Sequence, residues 1–187
     1  MFQLIVYGRG GQGAKTLAML LAESAIEAGK YAEAYPDFGP ERTGAPIRAF
    51  LRVDSRNFTT REPIVRPDAV VVLDDSLIAG KNEGTPIASA PVLIVNSGKD
   101  KSEIENALLE KGVHFDKVHT LNALEVISSY QNKIHFSAPI IGRIIKITEA
   151  VPLDDIKKVY AQKFSGKLGE AVVEETMAAL DEGYYGL

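Results

Sequence analysis

The chain has 187 residues and a formal net charge of −4 at pH 7, from 21 basic and 25 acidic side chains. That length has room for one sizeable core, read here as a single domain over residues 1–187, and the mildly acidic balance disfavours nucleic acid, whose phosphates need a basic surface. Cysteine is absent, which excludes disulfides, thiolate zinc sites and cysteine-ligated iron–sulfur clusters in this chain.

Phe2–Tyr7 reads as a strand leading straight from Met1, with no basic start or small-residue cleavage site, so a secreted precursor is not expected. Its apolar runs are too short to cross a bilayer, which takes about 20 residues. No membrane partner is therefore expected, and the cytoplasm is the expected location. Leu17, Leu20, Leu21, Ser24, Ala25 and Ala28 share one helical face. Ala18, Met19, Ala22 and Ile26 make the opposite face apolar too, so this helix is expected to be well buried. Gly29 is placed to end it. A short strand near Tyr31–Tyr35 follows. Pro36–Pro46, "PDFGPERTGAP", is rich in glycine, proline and charge and reads as a loop.

Ile47–Val53 alternates like a strand with one wet face, setting Ile47, Ala49, Leu51 and Val53 against Arg48, Phe50 and Arg52. Ala69–Leu73 and Val92–Val95 are continuous apolar runs, suited to parallel strands buried on both faces. Ser102–Lys111 reads as a helix stopped by Gly112. In "SAPIIGRIIKITEAV" the isoleucines at 140, 141, 144 and 145 fit a helix, although so many β-branched residues also suit a strand. Ile156, Val159 and Tyr160 mark a helix after Pro152. Leu168–Glu182 reads as a last helix, with Leu168, Val172, Val173, Met177 and Leu180 as core and Gly183 beyond it. Strand–helix alternation followed by helices predicts a Rossmann-like α/β fold of three layers. Its sheet is mostly parallel, with the 47–53 strand as the candidate antiparallel member, and the C-terminal third is helical.

Gly8, Gly10, Gly11 and Gly13 fall within six positions between the first strand and the first helix. Gly8, Gly10 and Gly13 satisfy G-x-G-x-x-G. Glycines permit a tight turn and close approach of backbone N–H groups, and a helix N-terminus adds unpaired donors and partial positive charge, so a phosphate fits there. Arg9 adds a planar cationic fork. Three uses compete. A triphosphate-binding loop fails, because the two glycine positions counted back from Lys15 hold Ala14 and Arg9. A dinucleotide site wants an acidic residue about 20 residues on, and Glu33 and Asp37 lie in that range. The bland alternative is a tight turn that permits close packing or contact with another chain. His114, His119 and His135 are scattered and read as solvated or hydrogen-bonded rather than as a metal site. No nucleophile elbow, paired carboxylates or Ser/His/Asp order is present.

The combination is more specific. Gly8–Asp54 resembles the gamma subunit of 2-oxoacid:ferredoxin oxidoreductases, through "GRGGQG", "AGKYA" and "FGPERTGAP". The resemblance continues through "RPDAVVVLDDSL" (Arg66–Leu77), "APIIGRIIKIT", "VPLDDIKKVYAQKF" and "ALDEGY" (Ala179–Tyr184). Residues 79–133 match only in their strand–helix rhythm. The family usually opens the "IIGRI" helix with an Asn-Thr pair, where this chain has Phe136, Ser137 and Ala138.

The resemblance implies a subunit of an enzyme that decarboxylates a 2-oxoacid on thiamine diphosphate with Mg2+. Electrons then pass singly through [4Fe-4S] clusters to ferredoxin, and the acyl group passes to coenzyme A. The "PDFGPERTGAP" loop looks more like the pyruvate type than the oxoglutarate or branched-chain types. With no cysteine and no Gly-Asp-Gly…Asn arrangement here, clusters and thiamine diphosphate are expected on alpha-, beta- and delta-type siblings. No catalytic residue is assigned to this chain. Gly8, Arg9, Gly10, Gly11, Gln12 and Gly13 are expected near the coenzyme A pyrophosphate or at a subunit seam, with Arg9 and Gln12 as polar contacts. Phe38, Gly39, Pro40, Glu41, Arg42, Thr43 and Gly44 are the candidate interface loop. The alternative of another class is a free-standing NAD(P)-binding reductase.

Overall fold

A computed structural model describes residues 1–37, 44–60, 62–79 and 86–186. Six strands form one sheet: β1 (Phe2–Arg9), β2 (Tyr31–Asp37), β3 (Pro46–Asp54), β4 (Ala69–Val72), β5 (Ala90–Asn96) and β6 (Phe115–Leu121), in the order β2-β3-β1-β4-β5-β6. β3 runs antiparallel to both β2 and β1, and β1, β4, β5 and β6 pair in parallel. The three-layer, mostly parallel architecture expected from the alternation is therefore the one formed, and β3 is its antiparallel strand.

Helices α1 (Ala14–Glu27), α5 (Ser137–Thr148), α6 (Leu153–Leu168) and α7 (Glu170–Tyr185) belong to one face, and α2 (Ser76–Ala79) and α3 (Lys101–Glu110) to the other; α4 (Ala123–Ser128) is a short turn of helix after β6. The strand pleat sorts the core. Leu4 and Val6 of β1 meet α1 and α5, while Ile5 and Tyr7 face the opposite layer. Both faces of the central strands are covered, which is why they read as unbroken apolar runs rather than as alternation.

Helix α1 is as buried as its sequence indicates, from Ala14 to Ala25, with Ile26 left outside. Ser24 is accommodated because its hydroxyl donates to the Leu20 carbonyl at 2.7 Å. The 137–148 segment is a helix: packing of Ile140, Ile141, Ile144 and Ile145 into the core overrides the β preference of branched side chains.

Three expectations need correction. The face of β3 expected to be wet is covered, for Phe50 is buried and Arg52 is 2% exposed. The chain at 62–64 closes over it: the Glu62 carbonyl accepts from Arg52 Nη2, Glu33 lies 3.5 Å from Nη1, and the Tyr35 ring lies 5.7 Å from the guanidinium. Alternation alone cannot distinguish water from a later loop. Second, Leu168 is not core but 43% exposed, because α6 ends there and Gly169 separates it from α7. Third, Gly183 does not end the last helix but lies inside α7, where it meets α5. A Cβ on Gly183 would stand 2.0 Å from the Pro139 carbonyl oxygen, and one on Gly142 would stand 2.1 Å from that of Leu180. The two helices cross backbone to backbone through this glycine pair.

Strand β6 and helix α4 have no counterpart in the sequence expectations. β6 is an edge strand, with only Val118 and Leu121 buried, so its period-two signal is weak.

Candidate functional site

Strand order fixes where a ligand or partner would meet this chain. From β1 the chain departs to β2 and β3 on one side, and β4 lies on the other side of β1. Crevices in open α/β sheets form at the carboxyl ends of strands at such a switch point. The glycine loop after β1 and the "DDS" turn after β4, Asp74–Ser76, meet there. A cleft of about 310 Å³ opens beside them, lined by Gln12, Asp74, Asp75, Asn96, Asn122 and Phe136 among others.

The loop is closed on itself. Gln12 folds back so that its Oε1 accepts from the Arg9 N–H at 2.7 Å, while its Nε2 donates to Asp74 Oδ2 at 2.8 Å. The Gly10 N–H donates to the Ala45 carbonyl at 2.9 Å. Arg9, expected to reach outward, is drawn in: Nη2 donates to Ser76 Oγ at 2.8 Å, Nη1 to the Gly44 carbonyl at 3.1 Å, and Nε lies 3.2 Å from Asp74 Oδ2. Gly13 holds φ 81, and the His135 ring fills the space a side chain there would need, 3.1 Å from an added Cβ. Gly8 is close-packed as well, with a Leu73 methyl 3.2 Å from its added Cβ. Gly11 turns outward with nothing near it.

Asp74 is the hub. Burial opposes its ionisation, but donation from Ser76 Oγ, Gln12 Nε2 and the Ser76 N–H, with the Arg9 charge, more than offsets this and holds its carboxyl below the usual range. Beside it, Asp75 accepts from Ser97 Oγ at 2.5 Å and lies 3.2 Å from Lys99 Nζ. The mouth therefore carries two carboxylates, and Arg9 and Lys99 are already engaged with them. His135 donates to or accepts from Ser137 Oγ at 2.8 Å and stacks on Phe136, and burial lowers its pKa.

The acidic residues weighed for a dinucleotide ribose are not at this mouth. β3 lies between β1 and β2, so Glu33 and Asp37 stand two strand spacings, about 10 Å, from β1. Glu33 faces Arg52 and Asp37 pairs with Arg48. Of the candidate interface loop, Phe38, Gly39, Pro40, Glu41, Arg42 and Thr43 lie outside the described residues. Gly44 is described, and it anchors Arg9 as above. His114 and His119 are remote from the mouth: His114 Nε2 lies 3.4 Å from Asp116, and His119 sits on β6.

Sequence reading missed Asp74, Ser76 and His135. Two polar residues directly after a buried parallel strand are a usable signal, since strand ends are where sites are built. His135 reaches Gly13 from 122 positions further along the chain, and no local pattern announces that.

Comparisons with known proteins place the chain in a family. The family model for pyruvate ferredoxin/flavodoxin oxidoreductase matches residues 3–185, and the chain belongs to that family. It is 34% identical over 184 residues to pyruvate synthase subunit PorC of Thermotoga maritima, covering 98% of this chain and 93% of that protein. It is 38% identical over 171 residues to the pyruvate/ketoisovalerate oxidoreductases common subunit gamma of Pyrococcus furiosus, covering 91% and 90%. The crystal structure of the Thermotoga maritima PORC subunit superposes with a TM-score of 0.78 at 33% identity, over 98% of this chain and 95% of that one.

Proposed function

We propose that this chain is the gamma subunit of a multi-subunit pyruvate:ferredoxin oxidoreductase, a single gamma-type domain whose glycine loop forms part of a subunit seam. The correspondence with PorC-type subunits along nearly the whole chain carries the first half of the proposal. The closed loop carries the second. A pyrophosphate needs unengaged donors and a cation. Here Arg9 and Gln12 are spent inside the chain, and an ionised Asp74 stands next to them. This argues against Arg9 and Gln12 as contacts of the coenzyme A diphosphate, and no step of the reaction is assigned to them.

The same reasoning distributes the chemistry. There is no thiolate for a cluster, and among the described residues no group of three or more His, Cys, Asp or Glu could hold a metal ion. Thiamine diphosphate with Mg2+ and the [4Fe-4S] clusters belong on alpha-, beta- and delta-type siblings. Coenzyme A is a substrate of the assembly, and ferredoxin is reduced through it. None of the described helices is long and apolar enough to cross a membrane, and the working place proposed for the assembly is the cytoplasm. The Pyrococcus relative is named as common to pyruvate and ketoisovalerate oxidoreductases. By analogy, the choice of 2-oxoacid is assigned here to the siblings of this chain.

Anaerobic affinity purification followed by mass spectrometry and a pyruvate- and coenzyme A-dependent dye-reduction assay tests the assignment. Cluster-bearing partners with that activity are expected. A chain that returns alone and saturably binds NAD(H) overturns it. Amide exchange at residues 8–13 tests the seam: protection is expected on assembly without coenzyme A, and protection appearing only when coenzyme A is added contradicts it.

A further inference from the structure

A second cleft, of about 440 Å³, opens past the carboxyl ends of β5 and β6. It meets the first at Ser97, Gly98 and Asn122, which line both. Arg143, from the middle of α5, contributes to its wall and is 8% exposed.

A buried guanidinium demands partners, because a charge taken out of water is costly unless it is paired and hydrogen-bonded. Arg143 has one. Its Nη2 donates to the Gly186 carbonyl at 2.5 Å. Its Nε is buried with no acceptor. No carboxylate among the described residues pairs with it, and burial alone moves its ionisation, downward. The carboxylates that line the cleft are turned to other groups: Glu125 accepts from Asn122 Nδ2 at 3.2 Å, and Glu182 from the Tyr130 hydroxyl at 3.1 Å. The end of α7 beside Gly186 supplies only the partial negative charge of a helix terminus, about half an elementary charge. The field of Arg143 reaches β6, where it adds to burial in lowering the His119 pKa, with Lys101 and Lys117 acting in the same sense. Around this cation the wall presents the Thr120 hydroxyl and the second hydrogen of Asn122 Nδ2, groups able to donate to an anion's oxygens, while the Ser97 and Ser129 hydroxyls already donate to Asp75 and to the Val126 carbonyl.

We propose that this cleft is a binding site for a small organic anion, whose carboxylate or phosphate group completes the coordination of Arg143. The planar fork suits either group. A small molecule is the occupant the geometry favours, because the guanidinium is recessed in the cleft wall, 8% exposed, and is not displayed on a surface. The inference does not depend on the role of the glycine loop.

Nitrogen-15 NMR of the full chain at constant ionic strength tests this, with inorganic phosphate and succinate as separate probes. The buried Arg143 Nε–H is the reporter, together with the amides of Gly98 and Asn122. One probe is expected to shift all three saturably, and which one does so identifies the anionic group. Arg143→Lys keeps the charge but removes the fork, and affinity should fall at least about tenfold. Should that variant fail to fold, Thr120→Val leaves the Gly186 bond untouched and should weaken binding several-fold. No saturable shift with either probe overturns the proposal. So does unchanged affinity in both variants, or a reporter that moves only when sibling subunits are added, which would make the occupant a partner's carboxylate.

Discussion

The glycines at the end of β1 and the glycine pair between α5 and α7 make different uses of the same missing side chain. The first set is conspicuous in the sequence, yet at Gly11 an added Cβ would meet nothing, and at Gly8 and Gly13 it would come closest to side chains, Leu73 at 3.2 Å and His135 at 3.1 Å. The second is inconspicuous, one glycine inside an isoleucine-rich run and the other seemingly past the end of a helix. There an added Cβ would stand 2.1 Å and 2.0 Å from backbone oxygens. Density of glycine marks where a chain turns. An isolated glycine inside a helix marks where another backbone must come close. The first feature shapes an exposed turn, whereas the second lets α7 lie directly against α5.

The largest effect of any single methyl group is expected in the helical pair. Gly183→Ala and Gly142→Ala should each cost about 3 kcal/mol or more, the upper range for overpacking, because the obstacle is backbone and cannot rotate aside. Urea denaturation of the isolated chain reads this directly. Loss of less than about 1 kcal/mol in both variants would mean that the helices slide apart freely and would end the comparison.

The same contrast explains what the sequence made legible. The parallel strands, α1, α3 and the core isoleucines of α5 announce themselves through runs and periods that depend on each element alone. The covered face of β3, the end of α6 at Leu168 and the placement of Gly183 depend on segments far away in the chain. Arg48, Phe50 and Arg52 look identical whether water or residues 62–64 lie over them. At the candidate site, the loop's position was readable from strand, glycines and helix. Its state was not, because the partners that engage Arg9 and Gln12 come from Asp74 and Ser76, more than 60 residues on.

Within the loop, the comparison sharpens to two neighbours. Gly13→Ala faces both φ 81 and the His135 ring, and should cost about 1–3 kcal/mol. Gly11→Ala faces φ 95 alone in open space, and should cost about 1 kcal/mol. Thermal denaturation of the two side by side checks the order. Adding His135→Ala should relieve part of the Gly13→Ala loss and none of the Gly11→Ala loss. Equal relief in both would remove His135 from the account.

Gln12→Ala comes next. It deletes two hydrogen bonds, one to the Arg9 N–H and one to Asp74, and should cost about 1–2 kcal/mol. Its more informative readout is local. Exchange at the Arg9 amide should accelerate while exchange in α1 stays slow, because the core under the loop is untouched. Acceleration throughout α1 would show that the loop supports the helix rather than resting on it.

The smallest expected effect is a dependence on pH centred on Asp74. Its folded pKa lies below the ordinary value, because the hydrogen bonds it accepts outweigh its burial. A depressed carboxylate stabilises the fold when the pH is above the unfolded pKa, near 3.9, and that contribution drains away as the pH falls through the lower folded value. Asp74→Asn should therefore melt below the natural chain at pH 7, and the gap should close steadily below about pH 4. The side chain is only partly buried, so the shift in melting temperature should be smaller than for any glycine variant above. A gap that persists unchanged into acid would mean that Asp74 contributes through the shape of its bonds to Gln12 and Ser76. The closed loop would then owe nothing to charge, and the case against a phosphate beside it would rest on the engaged donors alone.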